Sequence, residues 1–367
     1  MVPPVARTCT CLAMAMKNSL TIFIVKCAGA KAIYQRRGSP PATDWQHMIV
    51  SGDEMKGLVS MDEVISLVEQ AYAAHARGLC IMQPKTQLII EKYSGEWEAM
   101  PSYLGEPESS ACKWVAIRER NRESFGPPTV MSTVVYTDPE TGYSLMICDG
   151  TYHTNMRTEA AAAVSAKWMA RRDSKVAVGT LRALNSLNMF RKVLVWSGNR
   201  ENADSFVERM QAEVSMELAV VNSVRDVVAD SDVVVTQTPA TEPVVKDEWV
   251  REGTHIAVMG ADMEGKQELE GKLLKRSRIF VDDLSQCIRD GEINVPLRKG
   301  EVRVEDVAGT IGEIIIGRKI GRLSQDDITV FDSTVIALRD AAVTTLEYKR
   351  ARERGVGVEK RMIVSQT

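Results

Sequence analysis

Long hydrophobic runs are missing from this chain: over its 367 residues nothing nears the ~20 apolar residues of a membrane span, and the best early stretch, Leu20 to Val25, is far too short. No C-x-x-C pair occurs among seven scattered cysteines, Cys9, Cys11, Cys27, Cys80, Cys112, Cys148 and Cys287. Their odd number and wide spacing argue against a disulfide framework and for free thiols in a reducing compartment. The four histidines, His47, His75, His153 and His255, lack zinc-ligand spacing, so no metal is expected and they read as surface or packing residues. Charge of one sign is absent too: 46 Lys and Arg stand against 49 Asp and Glu, a net charge of −3. That leaves no electrostatic footprint for nucleic acid.

Acids are absent from the start of the chain. None precedes Asp44, while Arg7, Lys17, Lys26, Lys31, Arg36 and Arg37 are all basic. Residues 1–46 are read as an unstructured leader. A transit peptide is one alternative, and translation begun upstream of a natural start at Met48 is another. The expected location is cytoplasmic, or an organelle if the leader is a transit peptide.

What remains is long enough for two domains with proper cores, and 44% hydrophobic with 26% charged residues suits a globular protein. From Leu58 to Gly78, Val64, Ile65, Val68, Ala71 and Tyr72 recur at helical spacing, with Asp62 and Glu63 at the start and Arg77-Gly78 at the end. Residues 80–150 read as short strands and turns, an antiparallel, hairpin-rich unit. An alanine-rich helix is expected over Glu159–Arg172. Six apolar runs follow, at 176–178, 193–196, 218–221, 233–235, 256–259 and 279–281, separated by helical stretches. Continuous apolar strands alternating with helices imply a parallel sheet covered on both faces, whose ligand sits at the carboxyl ends of the strands. A last helix, Ser333 to Gly355, returns to the first unit.

Several blocks then carry a resemblance from about Met48 to Gly355. They are Met82-Gln83-Pro84-Lys85, Glu98-Ala99-Met100-Pro101, Cys112-Lys113-Trp114, and Asp149-Gly150-Thr151 running into Met156-Arg157-Thr158-Glu159-Ala160-Ala161. Later come Gly260-Ala261-Asp262 through Leu269, Gly291-Glu292-Ile293-Asn294 and Thr329-Val330-Phe331-Asp332-Ser333. In order and spacing the chain resembles the ornithine cyclodeaminase/μ-crystallin family, which includes archaeal-type alanine dehydrogenases and ketimine reductases. The resemblance implies an α/β fold in which a Rossmann-type NAD(P) domain, 158–329, joins an α+β substrate-binding and dimerisation domain, 47–157 plus 330–355. It also implies a homodimer acting on a small amino or imino acid.

Residue by residue, the resemblance places Arg157, Lys113 and Lys85 at the substrate carboxylate. A guanidinium suits that task because it pairs bidentately with carboxylate. Asp262, after a predicted strand end, becomes the proton acceptor and donor beside the substrate amine. Glu98 is either a second site carboxylate or an exposed acid. Thr129, Thr238, Ile256, Val258, Met259, Lys266 and Ser333 match cofactor positions. The implied reaction is hydride transfer from the α-carbon to NAD or NADP. In an ornithine cyclodeaminase-like enzyme the side-chain amine then attacks and ammonia leaves, and proline forms. In an alanine dehydrogenase water attacks instead.

One departure qualifies this. A dinucleotide site normally opens with strand, G-x-G-x-x-G/A and helix, whose glycines let backbone approach the pyrophosphate. Here Lys175-Val176-Ala177-Val178 runs into Gly179-Thr180-Leu181-Arg182, with one glycine and almost no loop before a helix expected over Thr180–Phe190. Glu159 also stands where family members carry a small residue. Weakened or lost cofactor binding is therefore expected, with a catalytically impaired dimeric binding protein as the alternative function. The second strand ends in Trp196-Ser197-Gly198-Asn199-Arg200 with no acid, which leans toward NADP through Ser197 and Arg200.

Overall fold

The structure, a computed structural model, describes residues 46–363 except Glu119 and Gly179. The leader expected over residues 1–46 (Gln46 apart) and the cofactor candidate Gly179 lie outside the described residues.

Two eight-stranded sheets organise the chain. The first contains His47–Val50, Cys80–Met82, Thr86–Ile90, Gly95–Gly105, Glu108–Arg118, Val130–Thr137, Ser144–Asp149 and Val358–Lys360. Its pairs are antiparallel, except that His47–Val50 runs parallel to Ser144–Asp149. Alternation decides what each strand buries. Glu96, Glu98, Met100, Ser102 and Leu104 turn inward on one strand, and Ser109, Ala111, Lys113 and Val115 on the next. Met100 pairs with Lys113 and Glu98 with Val115, so Glu98 and Lys113 share a face one diagonal step apart.

The second sheet is parallel throughout, in the order Glu217–Val220, Lys192–Val195, Val176–Val178, Val233–Thr236, His255–Val258, Thr329–Asp332, Arg278–Val281 and Val307–Thr310. Six of these strands coincide with the six apolar runs. Val307–Thr310 and Thr329–Asp332 were not foreseen, because threonine, glycine and aspartate break their apolar pattern. Chain order reverses at Val176–Val178, which is flanked by Lys192–Val195 and Val233–Thr236. A crevice opens there at the carboxyl ends.

The helix Met61–Arg77 follows its sequence signals. Ser60 and Glu63 form a reciprocal capping box, and Gly78 closes the helix at φ 72°. The alanine-rich helix starts at Gly150 instead of Glu159 and ends at Met169, because the Asp149 carboxylate accepts from the Thr151 and Tyr152 amides. The helix expected over Thr180–Phe190 shortens to Leu181–Ser186, and Thr180 gives it no side-chain cap. The last helix is Leu338–Arg354, packed on strands Gly95–Gly105 and Glu108–Arg118 and on helix Met61–Arg77. Ser333 to Ala337 is an irregular link in which Val335 takes φ 66°, a region that a β-branched residue rarely occupies.

Gly260 follows strand His255–Val258 and lies against the next strand's exit. A Cβ there would stand 2.4 Å from the Thr238 oxygen and 2.5 Å from the Thr238 nitrogen, both main chain. Gly260→Ala is therefore expected to lower Tm by at least about 4 °C in a thermal melt. An unchanged Tm would mean that the loop has slack to yield.

Candidate active site

Two polar groups meet between the sheets. The first lies past the end of strand His255–Val258. Lys266 Nζ is 2.7 Å from Asp262 Oδ1. Lys85 Nζ donates to the Asp262 main-chain oxygen at 2.6 Å and lies 3.3 Å from Glu98 Oε1. Lys85 and Glu98 are both buried, so Glu98 is not the exposed acid of the alternative reading. Burial pushes the Asp262 carboxyl up, but the Lys85 and Lys266 ammonium groups outweigh it and hold Asp262 below the usual range. Burial likewise pushes Lys85 down, and Glu98, with Asp262 and Asp290, more than reverses it.

The second group gathers on Asp340. Its Oδ1 accepts from Arg157 Nε at 2.9 Å and lies 3.2 Å from His153 Nε2; its Oδ2 is 3.2 Å from Lys113 Nζ. His153 and Arg157 are four apart on helix Gly150–Met169 and so share one face. His153 Nδ1 reaches Glu347 Oε2 at 2.8 Å, and Asp340 and Glu347 are two turns apart on the last helix. Arg339 is fully buried nearby: Nη1 donates to the Tyr72 hydroxyl at 3.3 Å, while Nε and Nη2 find no partner. Arg157, Lys113, His153 and Arg339 here outnumber Asp340 and Glu347, and buried N–H groups remain open. The cluster thus carries an excess of buried positive charge.

The titrations follow from this crowding. Burial, then Arg157, pushes Lys113 down to about 7 against the pull of Asp340. Burial would lower His153, but Glu347 and Asp340 raise it to about 9. Burial would raise Asp340, but Arg157 and Lys113 hold it well below the carboxylate range.

A cavity of about 660 Å³ opens at the crossover of the second sheet. Ser197 and Thr238 lie on its lining, with Val195, Val234 and Val245. Thr238 donates from both its amide and its hydroxyl to Glu268 Oε1, and Glu268 Oε2 accepts from Thr236 and Gly260. Where a phosphate would rest, the lining holds Thr180, Glu159 and Arg182. Thr180 Oγ1 and Glu159 Oε2 are buried without partners. Burial raises the Glu159 carboxyl, and Arg182 Nη1 is 3.6 Å away.

The structure brings Lys85, Glu98, Asp262 and Lys266 together in one group and Lys113 and Arg157 in another. Met259 and Ser333 sit at strand ends; the Ser333 amide donates to the Val258 oxygen and its hydroxyl to Asp282. The side chains of Ile256 and Val258 belong to the core under the sheet. Arg200 does not line the cavity: it pairs with Asp204 at 3.0 Å and donates to Asn222 at 2.6 Å. Thr129 immediately precedes strand Val130–Thr137, and its carbonyl accepts from the Arg118 amide. Sequence reasoning missed Arg339, Asp340 and the role of His153. Its signal was there in Arg339-Asp340, two charges set inside the apolar stretch Ile336 to Val343.

A doubly wound parallel sheet with its cavity at the crossover, joined to a second sheet that carries buried cations, defines a Rossmann-type α/β protein. The model of the "Ornithine cyclodeaminase/mu-crystallin family" matches residues 45–355, and the chain belongs to that family. It is 41% identical to alanine dehydrogenase of Archaeoglobus fulgidus, over 84% of this chain and 97% of that protein. An archaeal alanine dehydrogenase dimer with bound NAD superposes with TM-score 0.80 at 39% identity, covering 87% of this chain and 100% of that one. Thermococcus litoralis Δ1-pyrroline-2-carboxylate reductase, in complex with NADH and L-proline, gives 0.82 at 34% identity, covering 85% and 99%.

The Lys113 environment has a signature in stability. Folded Lys113 titrates at about 7 against an ordinary 10.5, so between those values the unfolded chain holds a proton that the folded chain has released. Its contribution makes folding more favourable as pH rises through that window and is constant below it. Denaturant titrations should show the native chain gaining stability over this range relative to Lys113→Met. Parallel curves would remove the assignment.

Proposed function

We propose that the chain is a nicotinamide-dependent oxidoreductase of small 2-amino and 2-imino acids, on the alanine dehydrogenase and imine reductase side of its family. The observation that carries this reading is the pairing of Asp262, held by Lys266 and Lys85, with the buried Arg157–Lys113–Arg339 cations. The identity of 41% to an alanine dehydrogenase supports it. The cations take the substrate carboxylate; a carboxylate arriving there gives Lys113 a second counter-charge beside Asp340. Asp262 stays charged across neutral pH and faces the substrate nitrogen. There it steadies positive charge as amine becomes imine and relays the proton, with Lys266 as its partner. The dinucleotide supplies the hydride acceptor or donor. Ornithine cyclodeamination requires in addition a partner for the distal amine.

The crossover cavity fits the nucleoside half of that dinucleotide, with the Ser197 and Thr238 hydroxyls and an apolar wall. Arg182 and the open Thr180 hydroxyl stand in for the glycine loop, and Glu159 opposes the phosphates, so binding is weaker than a glycine loop gives. To meet a 2′-phosphate Arg200 must leave Asp204 and Asn222, which favours NAD over NADP. The chain works as a homodimer, for which Ile81, Leu88, Ile89, Trp114 and Val130 expose apolar side chains on the first sheet.

Assays of the purified protein with alanine and NAD, with Δ1-pyrroline-2-carboxylate and NADH, and with ornithine test this. Nicotinamide absorbance should change with one of the first two, and Asp262→Asn should cut kcat about 100-fold or more with little change in KM. Proline formed from ornithine without net absorbance change would move the chain to the cyclodeaminase side. Saturable NADH binding with no turnover of any of the three would sink the oxidoreductase reading and leave a binding protein.

The phosphate seat gives a separate test. Glu159→Gln removes the opposing acid and should tighten NADH about tenfold in a fluorescence titration. An unchanged Kd would mean that the phosphates pass elsewhere.

A further inference from the structure

His75, on helix Met61–Arg77, stands between a thiol and a carboxylate. Its Nε2 is 3.1 Å from Asp283 Oδ2 and its Nδ1 is 3.4 Å from Cys80 Sγ. The carboxylate is itself fixed: Asp283 Oδ1 accepts from the Ser285 hydroxyl at 2.5 Å and the Gln286 amide at 2.9 Å, as cap of helix Leu284–Asp290. Cys80 and Asp283 occupy opposite ring nitrogens, so the three side chains do not converge as metal ligands must. They form a line of nucleophile, imidazole and orienting acid.

Beside the sulfur is a cavity of about 240 Å³ lined by Cys80, His75, Met82, Pro84, Ser285 and Gln286. Gln286 is 3% exposed, and its Oε1 has no partner, while its Nε2 donates to Met82 Sδ at 3.7 Å. A buried carbonyl oxygen left open is costly unless a donor reaches it. The cavity is smaller than the roughly 300–1,000 Å³ of a whole-ligand pocket. It suits one amide-bearing arm of a molecule. None of these residues belongs to the groups around Asp262 and Asp340.

We propose that Cys80 is a reactive thiol that forms a mixed disulfide with small peptidic disulfides, one arm of which rests in this cavity with an amide N–H on Gln286. The Asp283 and Cys80 contacts raise His75 to about 10, so around neutral pH both ring nitrogens donate, one to Asp283 and one to the sulfur. The nucleophile in disulfide exchange is the thiolate, and the His75 ring N–H 3.4 Å from the sulfur is placed to serve as its hydrogen-bond donor. Cys80 sulfur attacks one sulfur of the small disulfide. The new S–S bond forms as the old one breaks, and the departing thiolate takes a proton from His75. One protein thiol is oxidised and half of the small disulfide is reduced, with no further oxidant. Cys80 lies at an edge strand of the first sheet and is partly exposed, whereas Cys148 and Cys287 are buried.

The full-length chain is treated with iodoacetamide, which reads thiol reactivity, and with oxidised glutathione, which also reads the cavity. Each cysteine peptide is followed by mass. Cys80 should react about tenfold faster than Cys112, the other partly buried thiol, in the same molecules. His75→Gln and Asp283→Asn, which keeps the helix cap, should slow Cys80 toward the Cys112 rate with both reagents. Gln286→Leu should slow glutathione addition alone. A Cys80 rate no higher than that of Cys112 in the native chain, or an unchanged rate in His75→Gln, overturns the reactive thiol. An unchanged glutathione rate in Gln286→Leu overturns the cavity.

Discussion

The charge on Asp340 joins three pieces of the chain that are far apart in sequence. Lys113 comes from the first sheet, His153 and Arg157 from the helix Gly150–Met169, and Asp340 itself from the last helix. Each cation is almost wholly buried; without this carboxylate Lys113 and Arg157 would be uncompensated charges, while His153 would keep Glu347. Removing one partner of such a cluster commonly costs about 3–5 kcal/mol, because the other charges stay behind. The same carboxylate fixes the Arg157 guanidinium through Nε, while Nη1 donates to the Thr158 hydroxyl. The contacts that hold the three elements together thus also orient the arginine proposed to meet the substrate.

The second sheet uses buried acids differently. Glu268 accepts from Thr236, Thr238 and Gly260, and its own amide donates to Glu292. Glu292 also takes the Leu269 amide, and its own amide donates to Asp332. This chain of carboxylates on backbone amides ties the segment after strand His255–Val258 to two neighbouring strand ends. Asp262 is thereby carried on a braced loop, as the role proposed for it at the substrate nitrogen requires. Burial raises Asp332 to about 7 and pushes the Glu292 carboxyl well above the ordinary carboxylate range.

Much of this was legible in the sequence. Uninterrupted valine and isoleucine runs marked six parallel strands, since strands covered on both faces have no polar side to show. Short strands broken by turns marked the first sheet over residues 80–150, and motif positions singled out Lys85, Glu98, Lys113, Arg157 and Asp262. The remainder was set by contacts that periodicity does not register. The start of helix Gly150–Met169 depends on the Asp149 cap overriding a Gly-Thr-Tyr-His-Thr stretch that reads as strand or turn. Strand Thr329–Asp332 is polar at both ends because His255 and Glu292 meet it there. Arg339 and Asp340 are two charges in an otherwise apolar stretch, and their worth comes from what three other elements put around them.

Helix Gly150–Met169 carries Arg157 in the buried cation cluster and Glu159 in the nucleotide cavity. Two residues turn a helix by about 200°, so these side chains leave the rod on nearly opposite faces. The rod is about 30 Å long and its alanines are buried in the core. The packing that fixes the roll of this one helix about its axis therefore sets the directions of Arg157 and Glu159 together.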